Sequence, residues 1–384
     1  MLRPSFFALA ALALLSTSPA QAGEACVPPG VWRVPGQEKP LAPETLLARM
    51  AERPVVLLGE SHASADHHRW QFQTLAALHA RRSNLVLAFE MFPRRLQPAL
   101  DAWTRGELDE RRFLERVEWN EVWRFDANLY LPLFHFARMN RLPMVAMNVD
   151  SALVRETRRI GWARVPSERR EGVGDAAPAS TAYREGLGEV FQRHGEADAE
   201  GLGRFVEAQQ VWDRAMAEAI AKVRRGGGEP LVVGIVGQGH LEYGHGIPHQ
   251  LADLGLPGAA VLLPWDADRD CTDLMGKGGV PIADALFGLP SSPKTEEEER
   301  PRLGILVETV EGGVRVGSVQ KDSVAEAAGL REGDLIQQAA GRVVIRTDDL
   351  IATVRRQAPG TWLPLRIRRG GEGLDIVARF PPKP

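Results

Sequence analysis

The stretch Pro54-Val-Val-Leu-Leu-Gly-Glu-Ser-His62 decides the fold class. Its apolar part, Pro54–Leu58, reads as a short buried strand, and it runs straight into Gly59, Glu60, Ser61 and His62. The same pattern recurs down the chain. Leu85–Phe89 ends at Glu90, Met144–Met147 ends at Asn148, Leu231–Val236 leads into Gly237-Gln-Gly-His240, and Ala260–Leu263 is a further run. Helical patterns lie between them: His67–His79, with Trp70, Leu75 and Leu78 at helix spacing, then Asp101–Val117 and Leu202–Arg224. Apolar strands alternating with helices predict an α/β fold, a largely parallel sheet covered by helices. Pro166–Ser180, rich in Gly, Ala, Pro and charge, reads as a mobile loop or insertion.

In an open parallel sheet, ligands sit in the crevice beyond the carboxyl ends of the strands. Glu60, His62, Glu90, Asn148 and His240 all fall there. Glu60 and His62 alternate along extended backbone and so project to one side. Carboxylate and imidazole serve as ligands of a divalent metal (Glu60, His62, His240) or, with Glu90 added, as catalytic acid and base. A plainer reading makes the glutamates helix caps and His240 a satisfied loop histidine. Residues 239–249 then place Tyr243 among His240, His245 and His249 in a Gly-rich segment. Phenolate and imidazole are both haem-iron ligands, although a Gly-rich turn with a packed tyrosine fits as well. Trp103, Trp119, Trp123 and Tyr130 read as core, and His67-His68 as crevice lining or solvent-exposed.

The start of the chain reads as an address. Arg3, the apolar run Phe6–Leu15 and Ala20-Gln-Ala22 form a secretory signal, residues 1–22, cleaved after Ala22. The run is shorter than the roughly 18–20 residues a membrane span needs. The expectation is an exported, periplasmic protein, with Gly23-Glu-Ala25 before Cys26 a poor lipidation signal. In an oxidising compartment the two cysteines, Cys26 and Cys271, read as a disulfide, against the alternative of two separate thiols. Charged residues make up 25% of the chain at a net charge of -3, which leaves no positive excess to hold nucleic acid.

The chain divides at 291–301, a polar, Pro-flanked linker with a run of acid. All 9 histidines and all 3 tyrosines precede it, so any chemistry falls in the first domain, 27–290. After it, Ile305–Val307, Val314–Val319, Leu335–Gln338 and Leu363–Ile367 read as strands and Thr347–Arg356 as a helix.

Two resemblances follow from these motifs. Gly-Glu-Ser-His (59–62), Asp66-His-His-Arg-Trp-Gln71, the segment 89–100, the segment 129–138 and the segment 237–248, in this order, resemble the ChaN-like haem-binding uptake family of the Tiki/TraB/erythromycin-esterase superfamily. The helix 208–217 is similar to a helix of that family as well. The family resemblance implies an exported α/β domain that binds haem in iron acquisition, with a tyrosine on the iron, histidine nearby and a homodimer that sandwiches two haems. Here those roles fall on Tyr243 and on His240, His245 or His249. The wider superfamily implies hydrolysis instead, through Glu60, His62, Glu90 and His240, in some members with a metal. Residues 302–380, through Ala327-Ala-Gly-Leu-Arg-Glu-Gly-Asp-Leu-Ile336 and the helix after Gly341, resemble a bacterial PDZ domain. That implies a peptide-binding groove with Leu303, Gly304, Ile305 and Leu306 receiving a C-terminal carboxylate. Three functions are thus open: haem uptake with a peptide-binding module, a periplasmic metal-dependent hydrolase or protease, and a peptide-binding scaffold.

Overall fold

The computed structural model of the chain describes residues 25–193, 198–291 and 301–382. The leader 1–22 lies outside the described residues, as does the linker 291–301 apart from its two ends. The first domain is built on β1 (Trp32–Arg33), β2 (Val55–Glu60), β3 (Leu85–Pro93), β4 (Met144–Asn148), β5 (Leu231–Gly237), β6 (Ala260–Asp266) and β7 (Ala285–Leu289), in the order β1-β7-β6-β2-β5-β3-β4. All neighbours pair parallel except β1 with β7. Every residue of β2, β3 and β5 is buried, as expected for strands covered on both faces.

Strand alternation distributes the side chains between two cores. Val56, Leu58, Leu87, Phe89, Val233 and Ile235 point to one face, which the helices Pro43–Ala51, Ala65–His79, Gln97–Thr104 and Ala127–Met139 cover. Val55, Leu57, Val232, Val236 and Leu263 point to the other, under Ala199–Arg225 and Ile247–Asp253. Trp103, Trp119 and Tyr130 belong to the first core, as expected, whereas Trp123 is only half-buried.

Several boundaries differ from the sequence reading. β2 continues through Gly59 to Glu60, and β3 continues past Glu90 to Pro93. The ladder from β3 to β5 nevertheless stops at Phe89–Ile235, so Glu90 does leave the regular pairing. The stretch Asp101–Val117 is not one helix. Gly106, at φ +80°, turns the chain, and Asp109 starts a second helix, Glu110–Arg116, by accepting from the Arg112 N–H at 2.8 Å. Pro166–Ser180 is not a free loop. Val173 joins a small core with Trp162 and Val165, and Ala177 is tied to Gln210 and Gln250 by hydrogen bonds of 2.7–3.0 Å.

Cys26 and Cys271 form the disulfide, with Cα atoms 5.6 Å apart. It joins the start of the described chain to the turn that follows β6. The C-terminal domain has its own core and a separate antiparallel sheet. Its strands are β8 (Ile305–Val310), β9 (Gly313–Val319), β10 (Leu335–Ala339), β11 (Arg342–Val343), β12 (Trp362–Arg369) and β13 (Glu372–Arg379), with the helix Thr347–Arg355. β11 and β13 were not legible in the sequence.

Opening the disulfide frees a loop whose cysteines lie 245 residues apart. A Cys26→Ser/Cys271→Ser double variant should lose about 2–5 kcal/mol of stability. Thermal unfolding followed by circular dichroism should show the N-terminal domain melting several degrees lower. An unchanged midpoint would mean that the bond adds nothing to that domain.

Candidate functional site

The carboxyl ends of β2, β3 and β5 bring four of the expected residues together. Glu60 closes β2 and pairs with Gly237 at the end of β5. His62 follows, and its Nδ1 lies 2.7 Å from Glu60 Oε1. A Cβ on Gly237 would stand 2.8 Å from the His62 ring, so only glycine admits the imidazole there. The Gly237 N–H donates to Glu90 Oε2 at 2.6 Å. His240 Nε2 lies 3.4 Å from Glu90 Oε1, and its Nδ1 lies 2.5 Å from Asp213 Oδ1.

The walls of this crevice are aromatic. Trp123 and Phe125 pack against the His62 ring with centroids 4.6 and 5.0 Å away, and Phe125 is 36% exposed at the mouth. The Tyr130 hydroxyl donates to Glu60 Oε1 at 3.3 Å, so this tyrosine is both core and crevice floor. His67 and His68 are buried rather than solvent-exposed. His67 Nδ1 accepts from the Ser61 N–H at 2.9 Å, and His68 Nε2 donates to the His62 carbonyl at 3.2 Å. Asn148 also stays in the framework, donating to the Glu90 carbonyl at 2.7 Å.

Burial alone would keep these groups neutral, but their neighbours reverse that for some of them. Burial works against the charged form of His240, yet Glu90 and Asp213 outweigh it and push its pKa up to about 10. Burial likewise opposes the Glu90 carboxylate, and His240, His62 and the Gly237 N–H hold it below its ordinary value. Burial lifts the Asp213 carboxyl despite His240. Against burial, Glu60 and Glu90 raise His62, while burial lowers His68. One oxygen of each glutamate, Glu60 Oε2 and Glu90 Oε1, is buried with no hydrogen-bond partner among the described residues.

The metal set expected from Glu60, His62 and His240 is not assembled. Among the described residues no group of three or more His, Cys, Asp or Glu side chains is disposed to hold a metal ion.

The Tyr243 segment forms a second, adjoining face. Tyr243 has a left-handed backbone, φ +56°, which is rare for an aromatic residue. Its N–H donates to the Ile282 carbonyl at 2.9 Å and its hydroxyl to the Asp273 carbonyl at 3.0 Å. Gly276 lies flat on its ring, where a Cβ would come within 2.8 Å. The His245 ring stands between two tyrosines, with centroids 5.8 Å from Tyr243 and 5.6 Å from Tyr183. Burial and His249 lower the pKa of His245, which favours the neutral imidazole. Burial, Glu242 and Asp273 raise Tyr243. His249 turns away, donating to the Pro178 carbonyl at 2.9 Å, and His240 belongs to the crevice.

Sequence reasoning assigned no role to Asp213 or Tyr183. Asp213 joins the two faces: Oδ1 meets His240, and Oδ2 accepts from the Tyr183 hydroxyl at 2.7 Å. Gln209, Trp212 and Asp213 sit at helical spacing on one face of Ala199–Arg225, and that spacing was the available signal. Gln209 Nε2 is 3.1 Å from His240 Nδ1, and Trp212 stands edge-on to the same ring at 4.8 Å.

The His240 shift has a sign that can be checked. Its pKa rises from 6.5 to about 10 on folding, so its contribution to stability is complete below about 6.5 and is lost as pH climbs toward 10. The melting temperature should fall between pH 6.5 and 9.5. In His240→Gln it should start lower and vary less over that interval. A parallel pH profile in the variant would remove His240 as the source.

Comparison with known proteins now bears on this geometry. Residues 46–251 match the family model for haem-binding uptake, Tiki superfamily, ChaN, and residues 301–378 match the PDZ domain model. A solved structure of ChaN of Campylobacter jejuni, described as cofacial heme binding, superposes with a TM-score of 0.51 at 18% identity, covering 67% of this chain and 95% of that one, so the two share a fold. The HtrA3 PDZ domain bound to a phage-derived ligand is 26% identical, covering 20% of this chain and 82% of its own, with a TM-score of 0.19. Among curated proteins, RETICULATA-RELATED 5, chloroplastic, of Arabidopsis thaliana is 25% identical over 223 residues, 54% of this chain but only 29% of that protein's length. With the family model spanning more than half of its length, and a PDZ domain following, the chain belongs to the ChaN-like haem-binding uptake family of the Tiki superfamily.

Proposed function

We propose that the N-terminal domain binds haem on the Tyr243–His245 face, that the leader 1–22 exports the protein to the periplasm, and that the protein serves haem and iron uptake. The observation that carries the haem reading is the row Tyr243–His245–Tyr183. A porphyrin needs a flat apolar surface and an oxygen or nitrogen donor for its iron. Tyr243 and His245 supply flat rings, a phenol and an imidazole held toward its neutral form, with the buried Tyr183 behind them, and Met275 and Val280, each 40% exposed, add apolar surface near Tyr243. Bound haem would supply an iron centre open to those donors. Tyr243 is the residue we assign to the iron, with His245 assisting; its left-handed backbone is the kind of strain that functional sites retain. His240 is less suited, because it is buried between Glu90 and Asp213, whereas ligation by Tyr243 requires only that its hydroxyl leave the Asp273 carbonyl. A disulfide supports an oxidising compartment. A homodimer pairing this face with its copy would match the cofacial description of the Campylobacter jejuni protein. In the C-terminal domain, the open edge of β8 would accept an extended peptide as an added strand.

A second reading rests on the orphaned oxygen Glu60 Oε2. A buried acceptor without a donor is costly unless a ligand or water completes it. Glu60 and His62 would then work as an acid–base pair in hydrolysis, with Glu90 and His240 holding the charge.

Haem added to the mature protein should give a saturable absorbance change near one haem per chain. Tyr243→Phe, which keeps the ring on Gly276, should alter the spectrum and weaken binding about tenfold or more. Sedimentation of the loaded protein should show a dimer. An unaltered spectrum in both Tyr243→Phe and His245→Ala would place the haem elsewhere. For the second reading, turnover of aryl esters or unfolded polypeptide should vanish in Glu60→Gln; no turnover by the unmodified protein would dispose of it.

A further inference from the structure

Two walls flank the Tyr243–His245 face. One is the chain after β6, which brings Asp273 to the Tyr243 hydroxyl and Gly276 to its ring. The other is the helix Thr181–Arg193, which brings Tyr183 to the His245 ring. An ion pair spans them: Lys277 Nζ lies 2.7 Å from Glu185 Oε2. Lys277 follows the glycine that touches Tyr243, and Glu185 lies two residues past Tyr183. The pair therefore links the two ends of the row Tyr243–His245–Tyr183.

The backbone under Lys277 is fixed while its side chain is not. The Gly276 N–H donates to the Val280 carbonyl at 2.7 Å and the Gly279 N–H to the Gly276 carbonyl at 3.1 Å, which closes a tight turn with Gly278 and Gly279 at φ +74° and +75°. Cys271, at the start of this segment, is cross-linked to Cys26. The side chains of the pair are 73% and 49% exposed. An ion pair so exposed contributes little to stability, so exchanging one carboxylate for another costs little. Charge then decides what can be exchanged. Carboxylates border the face: Glu185 and Glu189 on the helix, Glu242 and Asp273 beside Tyr243. Arg269 is held from two sides, by Glu242 and Asp273 at 3.1 Å each, and its guanidinium lies over the Trp265 ring. Lys277 is bound to Glu185, which together with Glu189 raises its pKa and keeps it a cation. Haem carries two propionate carboxylates on one edge, away from the iron. A dianion brought to this acidic rim needs a cation free to turn toward it. An ammonium group with three donors on a flexible stem meets that need, and Lys277 is rooted beside the iron donor rather than on it.

We propose that Lys277 anchors a propionate of the bound porphyrin and that Glu185 is the carboxylate it holds until then. The proposal rests on the haem reading of the Tyr243–His245 face and adds the residue that recognises the acidic edge of the ligand. On binding, the Lys277 ammonium leaves Glu185 and donates to the propionate; no proton is transferred and no covalent bond changes. Glu185 is thus a competitor of the ligand. Removing it should strengthen binding, whereas removing Lys277 should weaken it.

The test is an absorbance titration of the full mature chain with haem and with haem dimethyl ester, whose propionates carry no charge. Lys277→Gln should bind haem about fivefold more weakly at low salt, with an unshifted Soret band because the iron donor is untouched. Glu185→Gln should bind it about threefold more tightly. Both differences should shrink in about 0.5 M salt. The dimethyl ester should bind the unmodified protein and both variants alike. Unchanged haem affinity in Lys277→Gln, with Tyr243→Phe still altering the spectrum, would overturn the anchor and leave the haem site standing. Equal losses for haem and its ester would make Lys277 a support of the face rather than a partner of a carboxylate, and would overturn the anchor as well. No saturable haem binding by the unmodified protein, or a spectrum insensitive to both Tyr243→Phe and His245→Ala, would overturn the haem reading and the anchor together.

Discussion

The register between β2 and β5 is the constraint on which the site depends. It sets Glu60 opposite Gly237, and the absence of a side chain at Gly237 lets the His62 ring close over the strand end while the Gly237 N–H reaches Glu90. Strand side chains alternate, so a slip of one residue would turn Glu60 to the opposite face of the sheet and away from His62. The apolar alternation of Val55, Val56, Leu57 and Leu58 between two cores opposes any such slip. Hydrophobic burial thereby enforces the geometry of the polar groups.

Those polar groups are otherwise expensive. Glu60, Glu90, Asp213 and His240 are nearly or wholly inaccessible to water. Removing one partner of such a cluster strands the others, whereas in the complete cluster each carboxyl has an imidazole of His62 or His240 beside it. His240 lies between Glu90 and Asp213, and its proton is held there by both. The cluster stabilises one arrangement of the strand ends more than it adds to overall stability.

Asp213 makes the crevice and the tyrosine face into one unit. Its two oxygens contact His240 on one side and Tyr183 on the other, and the Tyr183 ring faces His245. On the far side, the disulfide pins the turn that contains Asp273, whose carbonyl accepts from the Tyr243 hydroxyl, and Arg269 ties Glu242 to Asp273 at 3.1 Å each. The tyrosine face therefore rests on a helix from one side and on a cross-linked turn from the other. The PDZ domain has a separate hydrophobic core.

Local pattern was enough to read the parallel α/β class and the cluster of Glu60, His62, Glu90 and His240, and resemblance identified the PDZ domain. Strands buried on both faces have uniformly apolar sequences, and polar residues at their ends stand out against them. Strand and helix limits were less legible where a short-range signal competed with pairing. Glu60 and Pro93 are poor strand residues by composition, yet the sheet holds them. Asp213 and Tyr183 were invisible as partners because each lies on a helix about thirty residues from its contact, and helical spacing names a face without saying what it meets. The sequence by itself determined the central strands β2 to β6, the residue types at their ends and the two cysteines. Only the tertiary structure decided which carboxylate faces which imidazole, because those contacts depend on strand order and on the closeness that glycine permits.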